Sequence, residues 1–277
     1  MRPALSGGYN VEEEVGRLME QLSVRVGMKV WDDTVTMELT LPAAPTRLES
    51  LLPVFQRVAD GLVGLAAERA ESEGRKISCA KGCGACCRQI VPISEMEARR
   101  IARLVEELPE PRRTVIRARF ERARERLGEA GLLSKLRSRD GFEKEEFSAF
   151  GLAYFHLGIP CPFLEEESCS IHADRPISCR EYLVSSPAAN CADPTPDTID
   201  QVELPTKVWT ALARAGSAGP PSRFIPWVPL ILAPEWSSEH PDSEEARSVE
   251  ELIKRVFGEM GRLKGEDGAG SGGPGSA

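Results

Sequence analysis

The sequence predicts a mainly α-helical protein with a small β element, a single helical domain built around a cysteine-ligated metal centre. Three observations carry that expectation. Apolar residues recur at helical spacing behind capping residues at Asn10, Thr46, Ser94 and Ser248 and behind Pro111. Apolar–polar alternation runs from Val24 to Val30 and again from Val35 to Leu41. Seven of the eight cysteines fall in two short windows, 79–87 and 161–180.

Taking the chain in order, Asn10 and Glu13 form a capping box, and Val11, Val15, Leu18, Met19 and Leu22 predict a short helix over 11–22. Val24, Val26, Met28 and Val30 then alternate, as do Val35, Met37, Leu39 and Leu41, which predicts a hairpin around Asp32-Asp33 or a lone strand from Thr34. Thr46 with Glu49 opens a long helix to about Glu73, with Leu48, Leu51, Leu52, Phe55, Val58 and Leu62 on one face and a kink at Pro53. Ser94 with Glu97 caps a helix over 95–107. Pro111 starts another over 111–128, whose Arg117, Arg119, Arg122, Arg124 and Arg126 read as a solvated face with intrahelical ion pairs.

Residues 128–146 are charged and broken by glycine, which predicts a loop. Phe147, Phe150, Leu152, Tyr154 and Phe155 read as core packing ahead of the second cysteine window. Residues 184–206 are expected to be irregular. A short helix follows at 205–214, then proline-rich extended cover over 224–236, and a final helix from Ser248 to Leu263. The organisation expected is a 1–75 helix/strand/long-helix region, a 76–263 cysteine-cluster region with its motif core at 79–183, and a disordered tail at 264–277.

Charge and composition exclude several classes of function. With 35 basic and 43 acidic side chains, the net charge of −8 argues against bulk nucleic-acid binding. No run approaches the roughly 18 apolar residues of a membrane span, and the N-terminus lacks a signal-peptide core, so a cytoplasmic protein is expected. Thiols stay reduced there, so dense cysteines read as metal or redox chemistry rather than disulfides. Nucleotide-binding and serine-hydrolase motifs are absent from the sequence.

The first window reads Cys79-x3-Cys83-x2-Cys86-Cys87, and the second carries Cys161, Cys169 and Cys179. Gly82 and Gly84 let the backbone wrap around Cys83 with φ above zero. Thiolates are soft ligands suited to zinc and to iron–sulfur clusters. Only Cys83 to Cys86 has zinc-knuckle spacing, and seven thiols exceed the four that one zinc takes. Adjacent Cys86 and Cys87 are expected to point apart, serving a polynuclear centre or two metals unless one is a bystander. A 4Fe–4S cluster takes four cysteines and leaves extras for a second centre. Arg175 and Arg180 flank Cys179 as cofactor-binding residues whose charge would lower thiolate pKa values and offset a multi-thiolate centre.

Together the windows resemble the YkgJ-type cysteine-cluster family, the CxxCxxCC zinc- or iron-chelating domain. The resemblance rests on Cys83-Gly-Ala-Cys86-Cys87, on Cys161-Pro-Phe-Leu and on Cys169-Ser-Ile-His172-Ala-Asp-Arg175-Pro-Ile-Ser-Cys179-Arg180, and it covers residues 79–183. It implies metal or iron–sulfur binding through Cys79, Cys83, Cys86, Cys87, Cys161, Cys169 and Cys179. A flagellin lysine methylase shares the domain, which brings in a protein substrate by analogy. His172 stands where many members have tyrosine, so it reads as packing rather than a ligand. Cys191 lies beyond the motif and reads as a bystander, and His156 and His240 are isolated. The expectation is an iron–sulfur protein, 4Fe–4S favoured, with a redox or group-transfer role; the alternative is a structural zinc protein that binds a partner.

Overall fold

The computed structural model describes residues 21–138, 144–195, 197–217 and 224–266. It opens with a hairpin of β1 (Gln21–Val30) and β2 (Asp33–Pro42), paired antiparallel from Gln21↔Pro42 to Val30↔Asp33. The predicted helix at 11–22 lies largely outside the described residues, and its last two positions, Gln21 and Leu22, belong to β1. The hairpin turn places Trp31 at φ 50, beside Asp32. Val30, Leu39 and Leu41 are buried, whereas Thr34, Thr36, Glu38 and Thr40 are exposed. Alternation therefore seats one face of the hairpin on the helices.

The long helix α1 runs Leu52–Ser72 after a 3-10 turn at Leu48–Leu51. Pro53 stands in its first turn, where a missing N–H costs nothing, so it starts the helix instead of kinking it. The expected Thr46 cap does not form. Thr46 pairs with Arg247 through two backbone hydrogen bonds, and the Leu48 N–H is taken by the Glu244 carboxylate at 3.2 Å. Glu49 pairs instead with Arg103. A residue almost two hundred positions away thus supplies the cap.

Beyond the first cysteine window come β3 (Pro92–Ile93), α2 (Glu95–Glu107) and α3 (Arg112–Glu129). Ser94 and Glu97 form the expected capping box on α2. The α3 arginines depart from expectation: their ion pairs leave the helix. Arg117 reaches Glu106, Arg119 reaches Glu165 at 3.1 Å, and Arg124 reaches Glu235 at 2.7 Å. The expected loop at 128–146 contains α4 (Leu133–Ser138) and the start of α5 (Lys144–His156). Phe150 and Tyr154 pack on α5 against Leu127 and Leu136, as core.

The second window holds the small hairpin β4 (Leu164–Glu165) and β5 (Ser168–Cys169), then the helical turn α6 (Ile177–Arg180). The described residues of 184–206 are irregular apart from a 3-10 turn at Ala188–Ala192 and a single bridge between Val184 and Gln201. Next come α7 (Val208–Gly216), β6 (Val228–Pro229, paired with β3), α8 (Ala233–Glu239) and α9 (Val249–Glu266). The segment 224–236 is therefore extended only to Pro229. Leu230–Leu232 turns, and Pro234 opens α8 from its first turn. The tail from 267 lies outside the described residues.

One core joins the hairpin to α1, α7 and α9 through Leu41, Phe55, Leu212, Leu252 and Val256. A second gathers α2, α3 and α8 around Ile101, Ile116 and Phe120, and takes in Phe163 and Ile171 from the second window. The two cysteine windows lie between these cores. No described helix is long and apolar enough to cross a membrane.

Candidate metal centre

The first window is a chain of turns, because a segment of glycine and cysteine has little apolar surface to bury as a helix. Gly82 takes φ +88, the left-handed turn expected of it. Gly84 differs: its φ is −94, but an added Cβ would sit 2.5 Å from Glu167 Oε2 and 2.8 Å from Leu164 Cδ1. It is needed for close approach to the second window. There the Arg88 guanidinium donates to the Gly84 carbonyl at 2.9 Å and grips both oxygens of Glu167 at 3.0 and 2.7 Å. The Cys161 N–H donates to the Cys87 carbonyl at 2.7 Å, so the windows are also joined backbone to backbone.

Cys179 sits on α6, and three acidic side chains fasten that turn to the framework. Glu97, already capping α2, accepts the Ile177 N–H at 2.8 Å with its other oxygen. Asp60 on α1 receives Arg180 Nη1 at 3.1 and 2.8 Å. Glu181 accepts the N–H groups of Val208 and Trp209 at 2.6 and 3.4 Å, capping α7. Burial pushes Glu181 up to about 8, against the lowering effect of those two N–H bonds. Spacing did not single out these carboxylates beyond the Glu97 cap, because their partners are distant in sequence.

All seven predicted cysteines line one cavity of about 740 Å³, together with Arg175, Arg180 and His172. Cys191 lines it too. Its 3-10 turn packs against the turn Ala85–Arg88, although Cys191 itself is 6% exposed. The signal for it was arithmetic: it is the eighth cysteine of eight. The adjacent Cys86 and Cys87 both line this cavity. His156 stands elsewhere, 3.4 Å from Asp193, and His240 stacks on Trp236.

Six of the eight thiols, Cys79, Cys86, Cys161, Cys169, Cys179 and Cys191, are pushed above the ordinary thiol range. The hydrogen bond with Cys87 and burial drive Cys86 far up, even though part of its surface faces the cavity. Burial pushes Cys161 up to about 12 and Cys179 well above the ordinary thiol range. Burial also raises Cys79, Cys169 and Cys191. Arg175 pulls Cys79, Cys86 and Cys169 downward and Arg180 pulls Cys169, but burial outweighs both. The two arginines therefore act in the expected direction, against a larger opposing effect of burial.

Charge repulsion between neighbouring thiols adds to burial. Cys161 and Cys169 act on Cys179, and Cys169 acts on Cys161. Cys79 and Cys83 act on Cys191, and Cys83 acts on Cys79. Cys86 acts on members of both groups. Among the described residues no group of three or more His, Cys, Asp or Glu side chains stands close enough together to hold a metal ion. The donors stand on a shared wall. Their chemistry fits a soft cation, because a metal that replaces the thiol protons offsets the cost of burying thiolate charge.

Residues 78–199 match the family model CxxCxxCC, described as a "putative zinc- or iron-chelating domain". The resemblance drawn from the two windows therefore holds, and the matched stretch extends past 183 to include Cys191. No curated protein and no solved structure matches the chain. Cysteine-ligated metal binding is the function this match supports.

Proposed function

We propose that the cavity holds an iron–sulfur centre with a redox or group-transfer role, and that Cys86, Cys161, Cys169 and Cys179 form the heart of its ligand set. The observation that carries this reading is the convergence of eight thiols on one cavity, with Cys86 close enough to act on both groups. One zinc takes four donors in a tight tetrahedron. A polynuclear cluster with its own sulfide suits donors spread along a wall. Cys79, Cys83 and Cys87 complete the candidate set, and Cys191 joins it on position alone. Glu97, Asp60 and Glu181 act as positioning residues, holding the turn that presents Cys179. A protein side chain or protein partner, met in a cytoplasmic compartment, is the partner class this reading favours.

The zinc reading keeps one specific support, the Cys83–Cys86 knuckle on its glycine turn. Anaerobic purification followed by iron, zinc and acid-labile sulfide analysis separates the two. Iron and sulfide in comparable amounts, with absorption near roughly 400 nm, are expected. Colourless protein with stoichiometric zinc would overturn the iron–sulfur assignment. Cys86→Ser should lose most of the metal and Cys179→Ser nearly as much. A full site in Cys86→Ser would break the ligand assignment.

A further inference from the structure

Two arginines flank Cys179 in sequence, yet the fold commits them differently. Arg180 is 8% exposed and fully engaged: Nη1 lies on Asp60, Nε donates to the Arg175 carbonyl at 3.1 Å, and Nη2 donates to the Ala173 carbonyl. The side chain of Arg175 lines the same cavity but forms no ion pair among the described residues, and its buried Nε has no hydrogen-bond partner. Ser178 lines that wall as well, and its buried Oγ is also without a partner. An unsatisfied buried donor carries a desolvation penalty, so two of them on residues that line one cavity call for an acceptor.

Three further features describe that acceptor. Lys81 and Lys207 line the cavity and form no ion pair among the described residues. With Arg175 they bring three cations to the cavity wall, where Glu167 is held by Arg88 and Glu181 by the Val208 and Trp209 N–H groups. These cations suit an anionic ligand. The rest of the lining is apolar, including Val63, Ile90, Phe163, Leu183, Trp209 and Leu230. A guanidinium presents parallel donors that match the two oxygens of a carboxylate, whereas a fully ionised phosphate asks for more charge.

We propose that the cavity binds, beside the metal centre, an organic monocarboxylate whose carboxylate is held by Arg175 and Ser178 and whose apolar body lies against the Trp209 side of the lining. The site assigns Arg175 to a ligand and Arg180 to the framework. This inference rests on the reading that a thiolate centre fills part of the cavity, but the two are tested by different readouts.

The test is calorimetric titration of the protein as purified with benzoate, octanoate, benzamide and inorganic phosphate. Metal content is measured on the same samples. Saturable binding of benzoate or octanoate is expected, with no binding of neutral benzamide and no competition from phosphate. Arg175→Gln should weaken carboxylate binding by roughly tenfold or more at unchanged metal content, and Arg175→Lys should recover part of it. Ser178→Ala should weaken binding less. Failure of both carboxylates to bind overturns the proposal. So does binding of benzamide as tight as that of benzoate, or tighter binding of phosphate. Loss of the metal in Arg175→Gln also overturns it, because Arg175 would then serve the centre. Carboxylate binding that survives in a protein found to hold no metal would leave this site standing and sink the metal-centre reading alone.

Discussion

Around Phe55, Leu252 and Val256 the chain is held by apolar burial, with each of these side chains fully enclosed. Around Cys86 and Cys161 it is held by turns, by the Arg88–Glu167 pair and by single backbone hydrogen bonds such as Cys161 to Cys87. The first region stabilises itself, because removing large aliphatic and aromatic surfaces from water is favourable whatever else is bound. The second gathers thiols that repel one another's ionised forms and buried donors that lack acceptors. Its own contacts leave it unfinished, and a bound ion is expected to complete it. The comparison predicts that the framework exists before the centre does, while the cavity wall depends on the framework through Glu97, Asp60 and Glu181.

The sharpest way to break that contrast is metal removal. Chelation under reducing conditions should lower amide-exchange protection at Cys161 and Leu164 by about a hundredfold or more, while α1 and α9 keep theirs. Equal loss in both regions, read by exchange with mass spectrometry, would show that the framework needs the metal too. Next in size is the core. Phe55→Ala should cost about 3–5 kcal/mol in denaturant unfolding, by lost burial plus the cavity left behind. Its metal content per folded molecule should be unchanged. A selective loss of metal at full stability would mean that the two regions are not separable.

A smaller effect is expected at Glu235, which ties α8 to α3 and α4 far from the cysteines. Arg137 and then Arg124 hold its carboxyl below the ordinary range of 4.5. A carboxylate depressed in the folded state contributes stability above its unfolded pKa, and that contribution is lost as pH falls through the folded value. Glu235→Gln should therefore cost about 1–2 kcal/mol at pH 7 and flatten the acid limb of the stability curve. The same acid slope in variant and parent would refute the assignment. The smallest change is a gain. Glu166 and Glu167 form the β4–β5 turn at φ 49 and 56, a conformation that side chains other than Gly, Asn and Asp disfavour. Glu166 is exposed, so Glu166→Asn should raise stability by about 0.5–1 kcal/mol, seen as a higher unfolding midpoint at constant metal content. A lower midpoint would mean that Glu166 has a role in holding the turn.

By itself the sequence determined the features that depend on neighbours in the chain. Alternation from Val24 to Val30 and from Val35 to Leu41 pointed to the hairpin, with a lone strand as the alternative, because a period of two seats one face whatever lies beneath it. Ser94 with Glu97, and Ser248 with Glu251, specified two helix starts, because a capping box closes within four residues. The cysteine spacing and its resemblance placed seven thiols in one chemical setting, and the structure gathers them on one wall. Only the tertiary structure decided the rest. Glu244 rather than Thr46 caps the start of the 3-10 turn before α1, and Glu181 caps α7, because a carboxylate from a distant element can satisfy an orphan N–H as well as a local one. Cys191 reaches the cavity through a turn that no periodicity announces. Arg180 turns to Asp60 while Arg175 faces the thiols, a division that two arginines five residues apart do not reveal until helix α1 is packed beside them.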